Sequence, residues 1–277
     1  DVTEVYHLAA AYDLAVTREA GMRINVNGTR NVLDFAAHSP SLRRVHYVST
    51  CYVSGRYPGT FRETDLEKGQ RFNNYYEETK YLAEVEIQQR MSKGLPATIY
   101  RPSVVVGDSA TGATQKFDGP YFVIQWILRQ PRLAVLPMVG RPGRHTFNVV
   151  PRDFVVEAMT ALSGRPESAG KVYQLADPEP LTITQTVNAI AEATRHTIVR
   201  IPMTRGMAKG ALRYVPGVYR LMRIPPGAVD YFVHPTSYDT TNVQRDLGMP
   251  VPHLRDYLPN LIAFVRQHPE IGSAPMV

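Results

Sequence analysis

The chain has 277 residues, of which 44% are hydrophobic and 20% charged, with a formal net charge of +6. That balance fits a soluble globular protein with one large domain or two small ones. The single cysteine, Cys51, excludes an internal disulfide and a cysteine metal cluster and fits a reducing compartment. No apolar run approaches the roughly 18 residues of a bilayer span. The positive charge suits acidic ligands such as phosphates, or an anionic membrane face.

In chain order, short apolar runs alternate with longer amphipathic ones. Residues 2–10 (VTEVYHLAA) read as a strand. Residues 23–37 put Ile24, Val26, Val32, Leu33, Phe35 and Ala36 broadly on one helical face. A strand is expected at 44–49, a helix at 76–91 and a strand at 97–101. Strands separated by helices of this length indicate an α/β fold, a doubly wound parallel sheet of Rossmann type with ligands at one strand edge. After Gly107 the composition turns rich in Gly and Pro. There a helix is expected at 121–128, strands at 146–150 and 171–175, and a helix at 153–162. From Pro180 onward, helices and Pro-rich turns dominate. The expected division is 1–178 as a nucleotide-binding domain, with 108–145 as a substrate-side insertion, and 179–277 as a mainly helical substrate region.

Tyr76 and Lys80 form a Tyr-x-x-x-Lys pair. Four residues make about one helical turn, so the two share a face. A nearby ammonium lowers a phenol's pKa, which lets tyrosine exchange a proton with a substrate oxygen near neutrality. Alone, the spacing fits two exposed helix residues equally well, and its surroundings carry the weight. Thr50 stands at the end of the 44–49 strand in VSTCYVSG, where its hydroxyl suits a substrate carbonyl; a turn that caps the strand is the other reading. Pro102 ends the strand before it, so the backbone beyond can face a nicotinamide. His7-Leu8-Ala9-Ala10 offers small side chains against which a dinucleotide can lie.

The order HLAA, NVNGT, VST-x-YVSG, YEETK and RPSVVVGDS-x-TG resembles the extended short-chain dehydrogenases/reductases. The last motif, with Asp108, Ser109, Thr111 and Gly112, is most similar to their fatty acyl-CoA reductase and thioester reductase branch, the male-sterility type. YDTTNVQRDL at 238–247 resembles the family's C-terminal segment. The resemblance implies Tyr76 as acid-base residue, Lys80 as its partner, Thr50 as the substrate-orienting hydroxyl, and Asn25 as the family's asparagine. It implies NADP(H) as cofactor, or NAD(H), held by Leu8, Ala9, Ala10, Val48, Ser49, Tyr76, Lys80, Arg101, Pro102, Ser103 and Val104. The activity implied is reduction of a carbonyl, first of all an acyl thioester such as a fatty acyl-CoA, to aldehyde or alcohol. A sugar-nucleotide epimerase or dehydratase, a 3β-hydroxysteroid-type dehydrogenase, and a non-catalytic cofactor sensor stay open. The family's Gly-rich phosphate turn has no counterpart before His7, so an N-terminal truncation is expected. No nucleic-acid partner and no metal are expected. The expected setting is cytoplasmic, with peripheral membrane contact and homodimerisation open.

Cys51 neighbours Thr50, and strand alternation turns neighbours to opposite faces, so Cys51 is expected to be packing. Asp153 is expected to be the anion at a helix start. The stretch 195–223 holds Arg195, Arg200, Arg205, Lys209, Arg213, Arg220 and Arg223 without an acid. Arg205, Lys209 and Arg213 make a stripe, with Met203, Met207, Ala211 and Leu212 away from it. It reads first as a solvated face, and second as a contact for coenzyme A phosphates or anionic lipid.

Overall fold

A computed structural model describes residues 2–12, 15–216, 222 and 224–272. In chain order the elements begin with β1 (Glu4–His7), α1 (Arg18–Gly21), a π-helical turn (Met22–Asn27) and α2 (Gly28–Ala37). They continue with β2 (Arg44–Val48), β3 (Gly59–Phe61), α3 (Tyr75–Met91), β4 (Ala97–Pro102), β5 (Val104–Val106) and α4 (Pro120–Leu128). Next come β6 (Leu133–Val139), β7 (Val149–Pro151), α5 (Arg152–Ser163), β8 (Val172–Leu175), α6 (Ile183–Thr194) and β9 (Thr197–Met203). The last are α7 (Arg205–Tyr214), β10 (Thr236–Tyr238), α8 (Thr241–Leu247) and α9 (Leu254–Gln267). Two compact units result. The first holds Asp1–Ser103, Val155–Pro178 and Thr236–Val251; the second holds Val104–Phe154, Glu179–Pro235 and Pro252–Val277. The division is thus discontinuous rather than a single cut at 178.

The first unit is built on a parallel sheet in the order β1-β2-β4-β8. Val45 of β2 faces Ala97 of β4, and Ile99 of β4 faces Val172 of β8. Every residue of β4 is buried, as expected of a strand covered on both faces. Leu33 and Ala36 of α2 and Ala83 and Ile87 of α3 pack with Val45, Tyr47, Ala97 and Ile99 of the sheet. β10 returns to this unit by pairing in parallel with β3, Thr236 facing Gly59. Glu63 ties the return down: its carboxylate accepts Gln174 N at 2.9 Å and Asn242 N at 2.6 Å.

Helix α3 is not simply amphipathic. Its buried face carries Glu77, Lys80 and Glu84 beside Ala83 and Ile87. Glu84 meets Arg101 of β4 at 2.6 Å, both side chains fully buried. Gln88 Nε2 and Ser49 Oγ also donate to the Glu84 carboxylate, and Arg101 Nη2 donates to Asp65 O at 2.8 Å.

The second unit contains two further parallel pairs, β5 with β7 and β6 with β9. Its core joins α4, α6 and α9 around Phe117, Ile124, Leu136, Val187, Leu258 and Leu261. The β6–β9 pair has no counterpart among the sequence expectations. Pro137 and Pro202 break each run's pattern, and the register brings together segments far apart in the chain. A two-stranded sheet gives each strand a free edge, where proline is tolerated.

The buried pair yields a stability prediction. Glu84→Gln removes the counter-charge of Arg101 and is expected to destabilise the protein by about 3–5 kcal/mol in urea denaturation, the range for breaking a buried pair from one side. Replacing both residues with Met and Leu is expected to recover most of that loss.

Candidate active site

The site residues come from the ends of β2 and β4 and the first turns of α3. Strand β2 stops at Val48, so Thr50 is not a strand residue. It caps the short turn Cys51–Ser54, its Oγ1 accepting Tyr52 N at 3.2 Å. Gly55 closes that turn at φ 50, where a Cβ would stand 2.5 Å from Arg71 O. Asn74 starts α3 by accepting Glu77 N at 3.0 Å. The first turn therefore presents Tyr76, close enough to the Thr50 side chain for that hydroxyl to influence its phenol. The Tyr12 ring meets Tyr76 edge-on at 5.6 Å.

Burial pushes the Tyr76 phenol up from its ordinary range, against the neighbouring Thr50 hydroxyl, which lowers it. The expected depression by Lys80 does not rank among its causes. Lys80 is itself buried, its Nζ donating to Val48 O at 2.7 Å and lying 4.3 Å from the Tyr47 ring centre. Burial brings its ammonium down to about 7, while Glu84 pulls the other way. His7 is brought down to about 4 by burial and by the charge of Lys80.

Asn25 sits in the π-helical turn and touches none of Thr50, Tyr76 or Lys80 in the hydrogen bonds of the described residues. Its Oδ1 accepts Ala11 N at 2.7 Å, and its Nδ2 donates to Thr79 Oγ1 at 3.0 Å. Thr79 precedes Lys80, so Asn25 braces the helix that carries the pair. Gly21 permits the approach: a Cβ there would stand 3.0 Å from Thr79 Cγ2. His7 Nε2 lies 2.9 Å from Thr29 Oγ1, which donates to Asn25 O.

Of the expected cofactor residues, Leu8 and Ala9 are exposed just beyond the C-terminal end of β1, and Ala10 is half-buried. Val48 offers a carbonyl, already held by Lys80. The Ser49 hydroxyl and the Arg101 guanidinium are turned inward and bonded to Glu84, because that carboxylate needs compensation in the core. Neither side chain is free for a cofactor. Pro102 O receives a long contact from Thr50 Oγ1 at 3.5 Å. Ser103 is buried, its N donating to Leu175 O, and its Oγ has no hydrogen-bond partner among the described residues. Val104 begins the second unit.

Cys51 is fully buried with its Sγ 3.0 Å from Arg101 O, and burial pushes its thiol well up. The turn after β2, not strand alternation, separates it from Thr50. Asp153 accepts Ser109 N and Oγ, and Asp108 accepts Thr111 N at 2.9 Å, so the DS-x-TG motif braces a loop of the second unit. The basic stretch is less bare than its sequence. Arg205 and Lys209 each reach Asp230 at 2.6 Å, an acid lying beyond the stretch. Met207 is 58% exposed, and the buried side is formed by Leu212 with Ala208. Arg220 and Arg223 lie outside the described residues. Among the described residues no group of three or more His, Cys, Asp or Glu is placed to hold a metal. No described helix is long and apolar enough to cross a membrane. Sequence reading missed Glu63, Glu84 and Thr79, none of which shows a spacing that marks it.

The family profile described as male sterility protein matches residues 1–159. The chain belongs to that family. It is an NAD(P)-binding family within the thioester-reductase branch of the extended short-chain dehydrogenases. Over 185 residues the chain is 25% identical to the nonribosomal peptide synthetase asaC of Aspergillus flavus, covering 64% of this chain and 17% of that protein. Over 237 residues it is 23% identical to the aldehyde reductase lnbA of the same organism, covering 81% and 22%. The chain thus spans only a small part of the curated relatives it matches. The terminal R domain of the myxalamid biosynthetic pathway superposes with a TM-score of 0.80 at 24% identity, covering 99% of this chain and 70% of that one. A Bacillus cereus UDP-glucuronic acid 4-epimerase bound to NAD superposes at 0.68 and 18% identity, covering 96% and 75%. These likenesses establish the Rossmann-type extended fold.

Lys80 supplies a pH prediction. Its pKa falls from an ordinary 10.5 to about 7. The folded state therefore sheds this proton first as pH rises, and the unfolded chain binds more protons between the two values. The stability cost of the buried ammonium is complete below about 7 and fades toward 10.5. In thermal melts, Lys80→Met is expected to be more stable than the wild type at neutral pH, with the advantage narrowing by pH ~10.

Proposed function

We propose that this chain is the catalytic part of an NAD(P)H-dependent reductase that converts an acyl thioester to an aldehyde, and by a second reduction to an alcohol. The observation that carries the reading is the placing of Thr50 beside Tyr76, with Lys80 one turn along α3. The relatives named nonribosomal peptide synthetase and aldehyde reductase support the thioester and the aldehyde.

The residues present fit the nicotinamide end of a dinucleotide. Leu8 and Ala9 leave the end of β1 open, and the Ser103 hydroxyl has no hydrogen-bond partner among the described residues. The bound nicotinamide would supply the hydride. Thr50 and Tyr76 donate to the carbonyl oxygen and stabilise the oxyanion as it forms. A phenol that burial keeps protonated suits a proton donor in the reductive direction. The Lys80 ammonium, near neutrality, replaces the proton Tyr76 gives up. Collapse of the hemithioacetal breaks the carbon–sulfur bond and releases the thiol, leaving the aldehyde. Asn25 positions α3 through Thr79.

The cofactor of this reading is NADP(H), with NAD(H) as the alternative, and titration with each decides. Homodimerisation, and contact of 195–223 with an anionic partner, belong to the same proposal; with Arg205 and Lys209 paired to Asp230, Arg213 is the stripe member left for that contact. A sugar-nucleotide reaction is the second reading, favoured by the fold shared with the epimerase.

Tyr76→Phe is expected to lower turnover on the order of 10²–10⁴-fold, the usual worth of a positioned acid-base group, while cofactor still binds. Undiminished turnover overturns the assignment of Tyr76. A panel of acyl thioesters, sugar nucleotides and steroids tests the substrate class. Preference for a sugar nucleotide over every thioester overturns it and leaves Thr50, Tyr76 and Lys80 in place.

A further inference from the structure

The second unit contains a partly open cavity of about 230 Å³. Val123 of α4, Leu136 of β6, Val187 of α6 and Ala211 and Leu212 of α7 form its wall, with Phe232 from the segment that follows. Among the described residues, no charged, hydroxyl or amide side chain lines it. Protein interiors are packed to near crystal density, so a void of this size is not an ordinary gap. A dry apolar cavity of about 150 Å³ already takes up benzene.

We infer that this cavity binds an unbranched alkyl or acyl chain, whose polar end stays outside it. A wall without polar side chains offers a carboxylate, phosphate or sugar nothing to replace its water, and burying such a group uncompensated is costly. An apolar chain brings no such group. Met138, Met203 and Met222 also line the space. Methionine is unbranched and readily changes rotamer, so this wall adapts to chains of differing length better than to one rigid ring system. Its partly exposed members, Pro137, Met203, Ala211, Met222 and Phe232, mark the side at which a chain enters. The inference rests on the thioester reading only for what carries the chain; the binding itself is independent of it.

The protein contains its own reporter. Trp126 is the single tryptophan and lies on α4 three residues after Val123, its Nε1 donating to Val135 O at 2.8 Å. A medium-chain fatty acid with bromine at the tail is expected to quench Trp126 fluorescence saturably. The same acid with bromine beside the carboxylate is expected to quench it less, and bromopropionate not at all. Ala211→Phe and Val187→Phe fill the cavity from two walls. Each variant that keeps a cooperative melt is expected to weaken the quenching at least tenfold. In turnover, each is expected to raise the KM for long-chain thioesters by a similar factor and leave short-chain ones unchanged. Absence of quenching in the wild type, equal quenching by head and tail bromine, or full quenching in a folded filled variant overturns the inference. Quenching without reduction of any thioester keeps the chain site and removes the reductase reading. Reduction without quenching does the reverse.

Discussion

The Arg101–Glu84 pair is the constraint on which the candidate site depends. Arg101 lies on β4 and Glu84 on α3, and both are sealed from water. A buried charge of either sign tolerates little displacement of its partner, because its attraction and its desolvation cost both change steeply with distance. The pair therefore fixes how far along the sheet α3 sits. One turn earlier, Lys80 makes a second fixed contact with Val48 O, and one turn before that stands Tyr76. Ser49 donates to the same Glu84, so the segment leading into Thr50 is tied to the same point. Both hydroxyl-bearing residues of the site are located by one buried carboxylate that itself contacts neither.

Burial on this helix also sets the acid-base character of the site. Lys80 and Tyr76 share a poorly solvated region, and desolvation opposes charge on each: the ammonium comes down and the phenol goes up. The two values move apart, so a phenolate at Tyr76 takes up a proton from Lys80 favourably. Spacing alone suggested that the ammonium would lower the phenol. The surroundings change that balance because the Lys80 Nζ is engaged by a backbone carbonyl and an aromatic face.

How much was legible follows from the range of each interaction. Tyr76 and Lys80 are one helical turn apart, so their shared face can be read from spacing. The β2, α3 and β4 runs are local patterns and fell close to their expected limits. Arg101 and Glu84 belong to different elements, and nothing in the spacing of an arginine and a glutamate announces that they meet. Arg101 was assigned to the cofactor for that reason, and Ser49 with it. Asp230 is hidden in the same way, because it lies beyond the end of the basic stretch whose cations it meets. The β6–β9 pair is a long-range partnership interrupted by Pro137 and Pro202. The resemblance supplied the roles of Thr50 and Asn25; their local geometry, a turn cap and a π-helical brace, was not visible in it.

The discontinuity of the first unit bears on how the chain acquires its structure during synthesis. The four strands described in its sheet have all emerged with β8, yet β10 and α8 arrive only with Thr236–Val251. Until then Glu63 has Gln174 N but lacks Asn242 N, and strand β3 has no neighbour in its own small sheet. Domains generally fold as units, and contacts between distant segments form late because the intervening loop must close first. Here the intervening loop is a large piece of the second unit. The nascent first unit must wait, with one strand unpaired and a buried carboxylate half satisfied, while residues of another unit are being made, and that interval is where a chaperone would find it.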